Sequence, residues 1–198
     1  SLPEAAAAAR AAGGGGAGVP EGTPAPPPPA AAQLAGHLVL DLFAGSGALG
    51  IEALSRGAVA CTFVERDRAA LRALRANLAA LRLGPPLARV LATEARRALL
   101  ADAHEGRRYT LVFADPPYGA YDEVRPVLAE LLGRVLVPGA VVVVETAARV
   151  AAGLPWPVLR ERRYGDTRVT VLAAVPQQAR RDGGTTTVAG QAAEGVED

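Results

Sequence analysis

The chain has 198 residues, half of them apolar, with 21 basic and 20 acidic side chains and a formal net charge of +1; it is long enough for one domain with its own core, and globally disordered chains are excluded. The near-neutral charge does not announce a nucleic-acid binder, and although every basic side chain is Arg, a residue suited to phosphate forks, an Ala-rich all-Arg composition also follows from a GC-rich genome. One cysteine, two distant histidines, no apolar run near the roughly 20 residues of a membrane span and no signal-peptide pattern exclude an internal disulfide, a zinc cluster and a membrane partner, and set a cytoplasmic expectation.

Residues 1–36 are blocks of Ala, Gly and Pro, unable to bury enough surface to offset their ordering entropy, and are expected to be disordered. The same holds for residues 176–198, leaving a folded domain at 37–175. The chain lacks Met, so it is not expected to begin at its own start codon. Inside the domain, "HLVLDLF" reads as a strand, "ALGIEALSRG" as a helix and "ACTFVE" as a second strand. "DRAALRALRANLAALRL" is the clearest helix: Leu71, Leu74, Leu78 and Leu81 recur at three- and four-residue steps, Asp67 caps the start, and Gly84 with two prolines stops it. Its arginines, Arg68, Arg72, Arg75 and Arg82, form a solvated face.

A strand near "ARVLA", a helix "EARRALLADA", a strand "YTLVFA", a helix from about Tyr121 to Gly133 and a strand in "AVVVVET" follow. Strands alternating with helices predict a mostly parallel sheet covered on both faces. "PVLRERRYGD" and "TRVTVLAAV" have no helix between them and predict an antiparallel hairpin at the sheet edge. The expected fold is therefore α/β: a Rossmann-like, mostly parallel seven-stranded sheet ending in a hairpin, the class I methyltransferase variant of the doubly wound fold.

"LVLDLFAGSGALGIEA" is a strand, a glycine turn and a helix, and in such sheets ligands bind at the carboxyl ends of the strands. Gly45, Gly47 and Gly50 satisfy G-x-G-x-x-G, and Glu65 ends the next strand about 20 residues on, as in a dinucleotide site. Asp41 tips the balance, because an acid at the tip of the first strand repels a pyrophosphate but suits an ammonium group. S-adenosylmethionine (AdoMet) carries one: Asp41 would take its amine, the helix N-terminus its carboxylate and Glu65 its ribose hydroxyls. Thr93 and Glu94 follow the third strand and are candidates near the adenine. The full cofactor-binding set expected is Asp41, Phe43, Gly45, Ser46, Gly47, Glu65, Arg66, Thr93 and Glu94. A nicotinamide-dependent dehydrogenase remains a distant alternative.

Asp115 follows the fourth strand, which lies next to the first in this fold, so "DPPY" faces the same crevice. An exocyclic base amine is a weak nucleophile because its lone pair is delocalised; two acceptors on its N–H bonds favour the charge that develops during methyl transfer. Asp115 and the Pro116 carbonyl can be those acceptors, Pro116 and Pro117 bring no competing N–H, and Tyr118 offers a face for base stacking. Asp115, Pro116 and Tyr118 are the expected catalytic residues, with Pro117 and Tyr118 meeting the substrate and no metal. Cys61 sits in an apolar strand and reads as core.

With "VLDLFAGSGALGIEALSRGA", "FVERD", "FADPPY" and "RRYGDTRVTVL" in view, the chain resembles the RsmD family of AdoMet-dependent 16S ribosomal RNA guanine-N2 methyltransferases, from about His37 to Val175. The resemblance implies a target guanine in 16S rRNA of the small subunit or its assembly intermediate; the chain itself is expected to be a monomer. Where that family has a basic hairpin and a helix before the glycine loop, this chain has "EGTPAPPPPAAAQLAG". An adenine-N6 type methyltransferase on DNA or another RNA, and a non-catalytic RNA-binding or assembly module, are the alternatives. Arg160, Arg162, Arg163 and Arg168 are candidates for phosphate contacts.

Overall fold

The computed structural model describes residues 33–117 and 119–174. Residues 1–32 and 175–198, on which most of the two low-complexity expectations fall, lie outside the described residues. In chain order the elements are β1 (Leu38–Leu42), α1 (Ala48–Ser55), β2 (Ala60–Glu65), α2 (Arg68–Ala80), β3 (Ala88–Ala92), α3 (Ala95–His104), β4 (Tyr109–Ala114), α4 (Tyr121–Leu131), a 3-10 turn (Leu132–Arg134), β5 (Leu136–Ala147), β6 (Val158–Tyr164) and β7 (Thr167–Ala173). One sheet holds all seven strands in the order β3-β2-β1-β4-β5-β7-β6. The first five are parallel, and β7 pairs antiparallel with both β5 and β6, as the hairpin at the sheet edge requires.

The central strands read as near-continuous apolar runs because both their faces are covered. Alternate residues of each strand enter two separate cores. On one face, Val39, Cys61, Phe63 and Leu111 pack with Ala53 of α1 and Leu71, Leu74 and Leu78 of α2. On the other, Leu40, Leu42, Val112, Val142 and Val144 pack with Leu99 of α3 and Leu128 and Leu131 of α4. The one deeply buried carboxylate of that second core, Asp102, accepts from the Tyr109 hydroxyl and from Arg89, each at 2.6 Å, so its burial leaves no lone charge.

Asp67 caps α2, its Oδ1 accepting from the backbone N–H of Ala69 and Ala70 at 2.9 and 2.8 Å. The helix stops earlier than its leucine spacing suggests. Leu81 is the C-cap, 55% exposed, and Arg82 has turned left-handed (φ 55°) before Gly84 and the prolines are reached. Three leucines, not four, form the buried stripe. Residues Gln33 to Gly36 already belong to the folded body: the Leu34 N–H donates to the Arg56 carbonyl at 2.9 Å, and its side chain packs on the first core. The β5 strand begins well before "AVVVVET", bending at Gly139 with a register shift against β4.

Registers level the strand ends. Leu42 pairs with both Val64 and Ala114, Glu65 with Ala92, and Ala114 with Val144. Asp115 and Glu145 thus emerge side by side on the same edge of the sheet as Asp41 and Glu65.

Candidate active site

At that edge lies a cleft of about 600 Å³, walled by Phe43 and Gly45 after β1, Glu65 and Arg66 after β2, Thr93 and Glu94 after β3, Asp115, Pro116 and Pro117 after β4, and the first turns of α4. Nine of the residues expected from sequence therefore share one cavity. Tyr118 lies outside the described residues.

The glycine loop is held by acids. Gly45 N–H donates to Glu65 Oε2 at 2.9 Å, Gly50 N–H to Asp41 Oδ2 at 2.9 Å, and Gly47 N–H to the Ala44 carbonyl at 2.7 Å. A pyrophosphate needs such N–H groups for itself, and here each is already donated inward. The dinucleotide reading of the glycines loses its physical basis. The glycines also differ in what they spare. A Cβ on Gly45 (φ +56°) would meet nothing within 4 Å, since this residue opens on the cleft; on Gly50 it would strike the Phe63 ring at 2.3 Å and Cys61 Sγ at 2.6 Å. Gly50 serves helix-on-strand packing, and only Gly45 lets a ligand approach the backbone.

Glu65 is fixed before any ligand arrives. Its Oε1 accepts from the N–H groups of Arg66 and Asp67, both at 2.7 Å, and its Oε2 from Gly45. That leaves a lone pair on Oε2 beside the open Gly45, an acceptor for a ligand hydroxyl. Phe43, between Asp41 and the loop, is held at φ 68°, a conformation that costs a bulky residue of order 1–3 kcal/mol and tends to collect at ligand sites.

Three expected residues stand off the cleft wall. Asp41 is 2% exposed and bonds inward to Gly50, so it braces the loop from behind. Burial, above all, pushes its carboxyl up to about 7 against the lowering effect of the Gly50 N–H, and the charges of Asp115 and Glu65 add to the rise. Ser46 is exposed on the outer side, where Asn77 Nδ2 donates to its carbonyl at 3.0 Å. Gly47 abuts Leu74. Each of these shapes the loop rather than lining the cavity. Asn77, invisible as a site residue in sequence because it lies on the outer face of α2, ties that helix to the loop.

On the other side Asp115 opens into the cleft mouth, and its carboxyl is raised by burial first and by the Glu145 charge second. Glu145 had no sequence signal beyond ending a valine run. Ala120, Glu123, Val124 and Val127 add a mostly apolar wall from α4, which only the tertiary fold brings over the strand ends. Arg66 and Glu94 form a rim ion pair at 3.5 Å with both side chains about 70% exposed, worth little in water. Cys61 is buried, and burial, then the Asp41 charge, push its thiol well above its ordinary range; it is a core residue. The site is thus rich in acids and acceptors, and suits a ligand that brings hydroxyls and positive charge.

Ribosomal RNA small subunit methyltransferase D of Escherichia coli K12 is 41% identical over 133 residues, 64% of this chain and 63% of that protein. A solved structure of a conserved hypothetical protein of Streptococcus pyogenes superposes with a TM-score of 0.62 at 36% identity, covering 70% of this chain and 86% of that one. A SAM-dependent methyltransferase of Agrobacterium tumefaciens shares the fold at 17% identity, with a TM-score of 0.57 over 69% of this chain and 56% of that one. The chain spans between 42% and 66% of the length of the curated relatives it matches. Its fold is that of the class I AdoMet-dependent methyltransferases. The family model "Conserved hypothetical protein 95" matches residues 30–173, and the chain belongs to that family.

Proposed function

We propose that the chain is an AdoMet-dependent methyltransferase acting on the exocyclic N2 amine of a guanine in 16S rRNA. The observation that carries the reading is the single cleft in which an acid-braced glycine loop and Glu65 face Asp115-Pro116-Pro117. The similarity to a small-subunit rRNA methyltransferase supports RNA as the substrate, and the family resemblance supports guanine.

The residues fit the cofactor. Glu65 would accept from the ribose diol, Gly45 would admit the methionine portion against the backbone, Thr93 and Glu94 would border the adenine, and the Asp41 charge would favour the ammonium from behind the loop. When bound, AdoMet supplies an electrophilic methyl on a sulfonium. Asp115 and the Pro116 carbonyl would accept from the two N–H bonds of the base amine, hold it in line, and stabilise the positive charge that develops on nitrogen. The prolines keep the strand exit rigid and offer no N–H in competition. Asp115, with its carboxyl already raised, is suited to receive the proton the amine must lose. Tyr118 would stack on the splayed-out base.

The test is transfer of tritiated methyl from AdoMet into 30S particles that lack the mark, followed by digestion to nucleosides. Label in N2-methylguanosine of 16S rRNA is the expected result. Label in N6-methyladenosine, or transfer only to duplex DNA, would reject the guanine assignment; 30S binding with no AdoMet binding would reject catalysis.

A further inference from the structure

We propose that one face of the β6–β7 hairpin, the face bearing Arg160, Arg162 and Tyr164, is a docking surface for single-stranded RNA beside the cleft. The inference rests on the rRNA-substrate reading above.

Every residue of β6 is exposed, and alternate side chains of a strand share a face. Arg160, Arg162 and Tyr164 therefore project together, opposite Val171, Val169 and Thr167 of β7. The two arginines, Tyr164 and the two valines line a shallow depression of about 180 Å³. The four arginines singled out in the sequence divide by face. Arg168, on the opposite face, is spent on structure: its Nε and Nη2 donate to the Ala148 carbonyl at 3.0 and 2.7 Å, and Nη1 reaches Glu161 at 3.4 Å. Among the described residues Arg160 and Arg162 have no carboxylate within ion-pair distance, because Glu161, the one acid of β6, points the other way toward Arg168 and Thr170.

An unpaired cationic row ending in a tyrosine that is 60% exposed is a poor surface for water alone but suits an extended polyanion with stackable bases. Guanidinium forks take phosphate oxygens, and the phenol ring takes a base. The two arginines stand two strand residues apart, about 7 Å, a repeat that successive phosphates of an extended strand can follow. Thr167 pairs with Ala147 at the end of β5, and Val144 with Ala114 at the end of β4, so the hairpin turn lies on the cleft edge of the sheet. β6 is three strand spacings from β4, roughly 14 Å. An RNA strand with one base in the cleft can lie across it.

The test uses the full chain and its Arg160→Ala/Arg162→Ala, Tyr164→Ala and Arg163→Ala variants. Filter binding to protein-free 16S rRNA is measured over a salt series and compared with binding to 30S particles, alongside melting temperature and AdoMet affinity. The double variant is expected to weaken rRNA binding about tenfold or more and to flatten the log–log salt slope by about 1.4, two contacts at roughly 0.7 each. Tyr164→Ala is expected to weaken binding about fivefold to a hundredfold with the slope unchanged, while Arg163→Ala, on the other face, moves neither. Melting temperature and AdoMet affinity stay at wild-type values. Unchanged affinity and slope in the double variant, or an equal loss from Arg163→Ala, overturns the proposal. So does a loss seen only on 30S particles, which would mean a ribosomal-protein contact. A wild-type chain that neither binds nor methylates rRNA would defeat the parent reading; one that does both, with insensitive hairpin variants, defeats this inference alone.

Discussion

The Asp41 carboxyl lies buried behind the glycine loop, and its titration is the sharpest property of any single residue in the site. Its folded value near 7 stands above the roughly 3.9 of an unfolded aspartate. Between about pH 4 and about pH 7 the folded chain keeps a proton that the unfolded chain has lost, so stability falls as pH rises through that window. Asp41→Asn keeps an acceptor for the Gly50 N–H and removes the titration. Urea unfolding at about pH 5 and about pH 8 is expected to show the wild type losing, relative to Asp41→Asn, on the order of a few kcal/mol; a difference that does not move with pH contradicts the assignment. The two glycines separate in the same way. Gly50→Ala drives a methyl into Phe63 and Cys61 and is expected to cost about 1–3 kcal/mol or more in unfolding free energy. Gly45→Ala has open space but a left-handed backbone, so a loss of about 1 kcal/mol should accompany a larger loss of AdoMet affinity by calorimetry.

Among the elements, α2 shows what periodicity conveys and where it stops. The three- and four-residue leucine steps marked the helix and its buried stripe, but not its end: with Leu81 as C-cap, the chain turns away from the core before the stripe's fourth position. Leu74→Ala, fully buried and against Gly47, is expected to cost about 2–5 kcal/mol, whereas Leu81→Ala should cost less than about 0.5 kcal/mol. Chemical denaturation of the two variants decides whether the register of α2 is right. Asp67→Ala should lower stability in the same denaturation, because it removes an N-cap that satisfies two N–H groups. The hairpin was legible because no helix pattern separates its strands. Its division into a structural face and a bare basic face was not, since one sequence of alternating Arg and Glu fits either orientation until the register with β7 is known.

In the molecule as a whole, the site lies where β1 to β4 end, and the residues adjacent to those ends were the legible ones. Phe43, Gly45, Glu65, Thr93 and Asp115 each follow or terminate a strand that could be recognised by its apolar run, so topology alone gathers them. What stayed hidden comes from elements whose local sequence states only that they are helical or apolar. The α4 wall at Val124 and Val127, the Asn77 tie to Ser46, and Glu145 beside Asp115 depend on the packing of helices over the sheet and on the register of β4 with β5. Asp41 was recognised as a site acid, while its burial behind the loop could not be read before the turn of the glycines was known. The same sheet order sets a mostly apolar wall from α4 opposite the acids and acceptors that follow the strand ends. The role proposed for Asp115 is tested by single-turnover methyl transfer with wild type and Asp115→Ala at saturating AdoMet, with AdoMet affinity measured in parallel. The transfer rate is expected to fall about 10²–10³-fold with AdoMet affinity changed less than about threefold; transfer by Asp115→Ala at the wild-type rate would contradict that role.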